Sequence, residues 1–203
     1  MGKALRTLGV WFGALAGFGG LEHGYFEFQR GEVAPPGLVF PSIGPPCAPD
    51  EVWHGCEPAM SILPSFAVTG IAAMALGAVT LVWVIVFMRR RHGGFALAIL
   101  SLALLLFGGG IVPPALGIIG GLLAEWRPRQ PARVSALRAG LAKLWPWSLV
   151  AFFVALIGTV AVGFVSNDLV EALGIGVLVV VPGLVVLSAA SAWAADSLRA
   201  AEG

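Results

Sequence analysis

The sequence predicts an all-α, polytopic membrane helix bundle of about six membrane segments, including a short broken hairpin, with one Pro-rich extracytoplasmic loop. Three observations carry this reading. Hydrophobic residues make up 58% of the 203-residue chain and charged residues only 11%, against about a quarter in soluble proteins. Several apolar runs exceed the ~18 residues that mark a spanning helix. Residues 93–124 carry no charge at all, yet both flanks are basic: Arg89, Arg90, Arg91 and His92 before, Arg127, Arg129, Arg133, Arg138 and Lys143 after.

That uncharged stretch sets the topology. As one straight helix it would reach roughly 48 Å at ~1.5 Å per residue, well beyond a ~30 Å hydrocarbon core. Basic loops stay on the cytoplasmic side, so both ends of the stretch belong to one compartment. The chain is expected to enter the membrane, turn at Gly108, Gly109, Gly110, Pro113 and Pro114, and come back. Glycine supplies freedom for the turn and proline stops the helix.

The first segment spans about residues 5–28. An apolar run after Lys3 and Arg6, with Ala14, Leu15 and Ala16 as a possible cleavage site, has the features of a signal peptide. The apolar pattern continues through Phe18 and Leu21, however, and an uncleaved helix is expected. Gly9, Gly13, Gly17, Gly20 and Gly24 share one stripe of it. Small residues at this spacing let a second helix approach closely, which drives association where water supplies no force. The plainer reading is abundance alone, since the chain holds 28 glycines.

Residues 29–62 form the one long polar segment. It holds seven of the fourteen prolines and a single base, Arg30. A regular helix is excluded there, and the charge rule places it outside. The second segment covers about 63–88, and the hairpin legs about 95–107 and 111–124. These legs are too short for a full perpendicular crossing, so short tilted helices or a re-entrant pair both fit.

The basic loop 125–144 follows. A short helix opening at Pro131 would place Val134, Leu137, Leu141 and Leu144 on one face. Arg133, Arg138 and Lys143 then lie off the stripe, suited to anionic lipid headgroups; an ordinary solvated loop is the bland alternative. The last two segments cover about 145–165 and 172–193, joined by an outer turn from Ser166 to Glu171, with Pro182 expected to kink the last one. This arrangement keeps eleven of the twelve Lys and Arg residues inside, Arg30 being the exception. It puts both termini in the cytoplasm and the chain in a bacterial-type inner membrane.

Chemistry is sparse. His23 and Glu27 stand four residues apart and share a helix face beside the glycine stripe. Polar groups near a membrane are costly and often functional, but a structural hydrogen bond at the wet end of the helix serves equally well. With His54 and Glu57 they form the candidate polar site. Cys47 and Cys56, outside the cytoplasm, are expected to form a disulfide that pins the loop. A zinc site from Cys47, Cys56, His54 and His23 is permissible, though it lacks the close paired spacing of structural zinc motifs.

No nucleotide-binding Gly-Lys-Ser/Thr loop, HExxH metalloprotease motif or close C-x-x-C pair occurs. The bases sit in juxtamembrane clusters, so nucleic acid is not an expected partner. No metal or other cofactor is expected, and no catalytic residue is assigned. The leading expectation is a non-catalytic subunit, assembly factor or interaction partner of a larger membrane complex, contacting the bilayer, other membrane subunits or a second copy of itself. A small passive channel or transporter using the broken hairpin is the first alternative. A membrane enzyme or metal site at His23 and Glu27 is the second.

Overall fold

The computed structural model describes residues 2–43, 57–126, 135–165 and 167–202. They are mostly helical. In chain order the elements are α1 (Lys3–Gln29), β1 (Val39–Pro41), β2 (Pro58–Met60), α2 (Phe66–Val82, continued by a π-helical turn Trp83–Phe87), α3 (Gly93–Leu106), α4 (Val112–Glu125), α5 (Ala136–Lys143), α6 (Trp147–Val165) and α7 (Asn167–Glu202).

Among the described residues, three helical stretches are long and apolar enough to cross a membrane: Lys3–Gln29, Phe66–Phe87 and Gly176–Ala201. A fourth results if α5 and the Trp147–Val162 part of α6, bent by 51° at their junction, count as one broken span. Helices α3 and α4 have 14 residues each, about 21 Å at the α-helical rise and short of a ~30 Å core. The six expected segments thus reduce to three or four stretches of membrane length plus the short α3–α4 hairpin.

Two other boundaries differ from expectation. The outer turn expected between Ser166 and Glu171 is absent from Asn167 onward, because α7 already begins there. Helix α7 also continues past Trp193 to Glu202, through Ala194, Ala195, Leu198, Arg199, Ala200 and Ala201, residues of high helix propensity. Pro182 lies inside this helix. In the polar segment, where a regular helix was excluded, β1 and β2 pair antiparallel with Phe40 opposite Ala59.

The chain divides into two compact units, Gly9–Glu125 and Met1–Leu8 with Trp126–Gly203, so that α1 contributes to both. In the first unit, small residues bring backbones together. A Cβ on Gly24 would sit 2.7 Å from the Gly70 carbonyl oxygen, and one on Gly17 2.9 Å from that of Gly77. Gly20 meets Leu104 and Ala73, Gly13 meets Val84 and Leu97, and Gly9 meets Gly120 of α4. The stripe therefore faces α2 towards its C-terminal end and α4 at its start. Gly94 of α3 likewise abuts the Gly121 carbonyl of α4. Val84, Met88, Leu97 and Ala124 form the apolar cluster at one end.

At the other end the ribbon covers the helices. Phe40 stands edge-on to Phe66, centroids 4.9 Å apart, over Ala59. The first N–H groups of α2 have no intrahelical acceptors. The Val33 and Gly31 carbonyls accept from Phe66 and Ala67, and the Ser65 hydroxyl accepts from Val68.

In the second unit, α6 packs on α7 through buried Leu149 and Phe152 and a 2.7 Å bond between the Ser148 and Ser191 hydroxyls. Ser135 caps α5, its hydroxyl accepting from the Arg138 N–H. The proposed start of that helix at Pro131, with Arg133 and Val134, lies outside the described residues. Leu137 and Leu144 are exposed. Arg138 lies over the Trp193 ring, 4.8 Å from its centroid.

Candidate functional site

Helix α1 carries two fully buried polar side chains, His23 and Glu27, one turn apart on the same face. They meet the two arms of the β-ribbon. The Ser42 hydroxyl, just after β1, donates to Glu27 Oε1 at 2.8 Å. Glu57, just before β2, brings its carboxylate Oε2 to 3.4 Å from His23 Nε2. Ser42 and Glu57 are themselves joined, the Ser42 N–H donating to the Glu57 carbonyl at 3.0 Å. One helical turn of α1 thus grips both sides of the ribbon where the chain departs into residues 44–56.

Arg30 adds a third tie. It follows α1, donates from Nη2 to the Ser42 carbonyl at 3.2 Å, and stacks over the Phe66 ring. Burial lowers its pKa from the ordinary guanidinium value, and the neighbouring Glu27 charge opposes that shift.

The α3–α4 turn closes the site from the opposite side. Gly108 and Gly110 adopt φ of +92° and +83°, a region that L side chains rarely occupy. A Cβ on Gly108 would collide with Glu27 Oε2 and Thr69, and one on Gly110 with the His23 imidazole. Two of the turn's N–H groups are engaged: that of Gly108 donates to Met60 O at 2.8 Å and that of Gly109 to Leu104 O at 2.7 Å. Ile62 donates to Leu106 O, extending the pairing from β2 onto the end of α3. The Ser61 and Thr69 hydroxyls share a 2.8 Å bond beneath.

Of the candidate polar residues, His23, Glu27 and Glu57 therefore converge, with Gly108, Gly109 and Gly110 packed over the pair. Pro113 abuts Gly19 of α1, and Pro114 is buried in the first turn of α4. Cys47, His54 and Cys56, and with them the expected disulfide and the four-ligand zinc alternative, lie outside the described residues. Among the described residues no three His, Cys, Asp or Glu side chains cluster to hold a metal. His23 Nδ1 and Glu27 Oε2 are buried without a hydrogen-bond partner there.

Sequence reasoning missed Ser42, Ser61 and Thr69, which have no helical or motif spacing to the residues they serve. It also missed Asp196. That carboxylate, buried on α7, accepts from the Ala4 and Leu5 N–H groups at 2.9 Å each and from Arg199 at 3.1 Å. It caps α1 from a residue 192 positions away. A lone acid in a run of alanines was its only signal.

The molecule belongs to the class of all-helical proteins with several helices of membrane-spanning length. No protein-family model, curated protein or solved structure matches the chain.

Proposed function

We propose that this is a non-catalytic multi-pass membrane protein whose helices act as a platform for an outer loop that engages a partner subunit. The observation that carries the reading is the double grip on the ribbon: Glu27 on Ser42 and His23 near Glu57, both from one turn of α1. Burying two ionisable groups to hold a loop base is costly. A fixed base holds both ends of the intervening segment in one place for a partner.

Topology fits this use. The bond of the α1 start to Asp196 near the α7 end supports a topology with both ends of the chain on one side of the membrane. An even number of crossings fits it, as with four long segments and a returning α3–α4 hairpin. The distribution of basic residues favours a cytoplasmic side for those ends and an outer side for the ribbon, in an inner-membrane setting. A Cys47–Cys56 disulfide would stiffen the presented loop further.

The channel alternative draws less support. Interrupted helices serve transport by exposing backbone groups to the cargo, whereas the Gly108 and Gly109 N–H groups are spent on Met60 and Leu104. The unpartnered His23 Nδ1 and Glu27 Oε2 favour a second reading, a small polar ligand or acid–base site.

A photo-crosslinking residue in place of Asp50, used in intact cells, separates these readings. A discrete adduct with another polypeptide, diminished several-fold by Glu27→Ala, is the expected result. Adducts to lipid alone, or an adduct indifferent to Glu27, would remove the platform reading.

A further inference from the structure

We infer that the cavity lined by Lys3, Ala4, Thr7, Trp145 and Arg199 binds a phosphate group, carried by an anionic phospholipid headgroup or free in solution. The recess is open to solvent, offers about 340 Å3 of space and gathers three distant segments: the first two turns of α1, the α5–α6 junction and the last turn of α7. That space is many times what a single water needs and admits a phosphodiester.

Its chemistry is cationic. Two bases from opposite ends of the chain border one small space, and like charges there repel unless something neutralises them. The nearby acid, Asp196, is already committed to two backbone N–H groups and one Arg199 N–H. Arg199 has five N–H donors, and its half-exposed side chain gives only Nη1 to Asp196. Among the described residues no carboxylate pairs with Lys3.

The α1 N-terminus itself is not the anion site. Asp196 occupies the Ala4 and Leu5 N–H groups, so side chains must do the binding. Asp196 has a second effect, since holding Arg199 and the start of α1 together fixes the spacing of the two cations. Lys3 contributes a point charge and Arg199 a planar fork suited to phosphate oxygens. Trp145 has the amphipathic ring that settles at headgroup level. The proposal is independent of the platform reading, because none of these residues touches the ribbon site.

Calorimetric titration of the detergent-solubilised full chain tests it, with three probes: dihexanoyl phosphatidylglycerol, dihexanoyl phosphatidylcholine and inorganic phosphate. Phosphatidylglycerol should bind at least tenfold more tightly than phosphatidylcholine. Lys3→Gln, at an exposed position, should weaken that binding about tenfold, and Arg90→Gln, in the separate Arg89–Arg91 cluster, should leave it unchanged. Inorganic phosphate binding as tightly, with the same Lys3 dependence, supports the site with free phosphate as its source. Equal binding of the two lipids, or binding indifferent to Lys3→Gln, overturns it. Arg199→Lys keeps a cation beside Asp196 and should weaken binding less than Arg199→Gln; equal effects would also contradict the proposal.

Discussion

Asp196 and Glu27 illustrate how single buried carboxylates join parts of this chain that lie far apart in sequence. Glu27 reaches Ser42 across the chain's exit from α1, and Asp196 reaches Ala4 and Leu5 from α7. Each satisfies donors that would otherwise be buried without partners, a cost of about 1–3 kcal/mol per group. Asp196→Ala should therefore lower stability by roughly 2–3 kcal/mol, with Asp196→Asn losing less, because an amide oxygen can still accept. Thermal unfolding in detergent reads this directly. An Asp196→Ala protein that melts with the wild type would show that the α1 cap contributes nothing. Legibility at this scale was uneven. Helical spacing placed His23 and Glu27 on one face, but Ser42 and Glu57 reach them only through the ribbon register. Three-residue strands with Pro41 and Pro58 at their ends carry no alternation to reveal that register.

At the scale of elements, the helices lie where long apolar runs occur, which is why an all-helical chain with membrane-length helices was readable. Helix ends were less so. The polar residues from Ser166 to Glu171 read as a turn, whereas α7 already begins at Asn167. The contacts between helices have a sharper test. Gly24 meets the Gly70 carbonyl backbone to backbone, with no flexible side chain to give way, while a Cβ on Gly158 of α6 would meet nothing within 4 Å. Gly24→Ala should cost about 1–3 kcal/mol through overpacking, whereas Gly158→Ala, inside α6 with room for the methyl group, should raise stability by about 0.5–1 kcal/mol. Equal melting temperatures for the two variants would contradict the close α1–α2 approach.

For the whole molecule, the description is of two units, each with its own polar fastening. In the first, His23, Glu27 and the Gly108–Gly110 backbone secure the ribbon; in the second, Asp196 secures the chain's beginning to its end. Charge asymmetry supplied an expectation of inside and outside, because bases cluster after α2 and α4 while prolines and acids concentrate in the segment after α1. Partner chemistry was not readable, since the sequence contains no recognition motif. The central claim is that one turn of α1 holds the ribbon. Hydrogen exchange of the Ser42 and Ser61 amides, bonded to Glu57 O and Leu38 O, measures it most directly. In a His23→Ala/Glu27→Ala protein, both amides should exchange at least tenfold faster while α6 amides keep their protection. Unchanged exchange at Ser42 and Ser61 would contradict the claim.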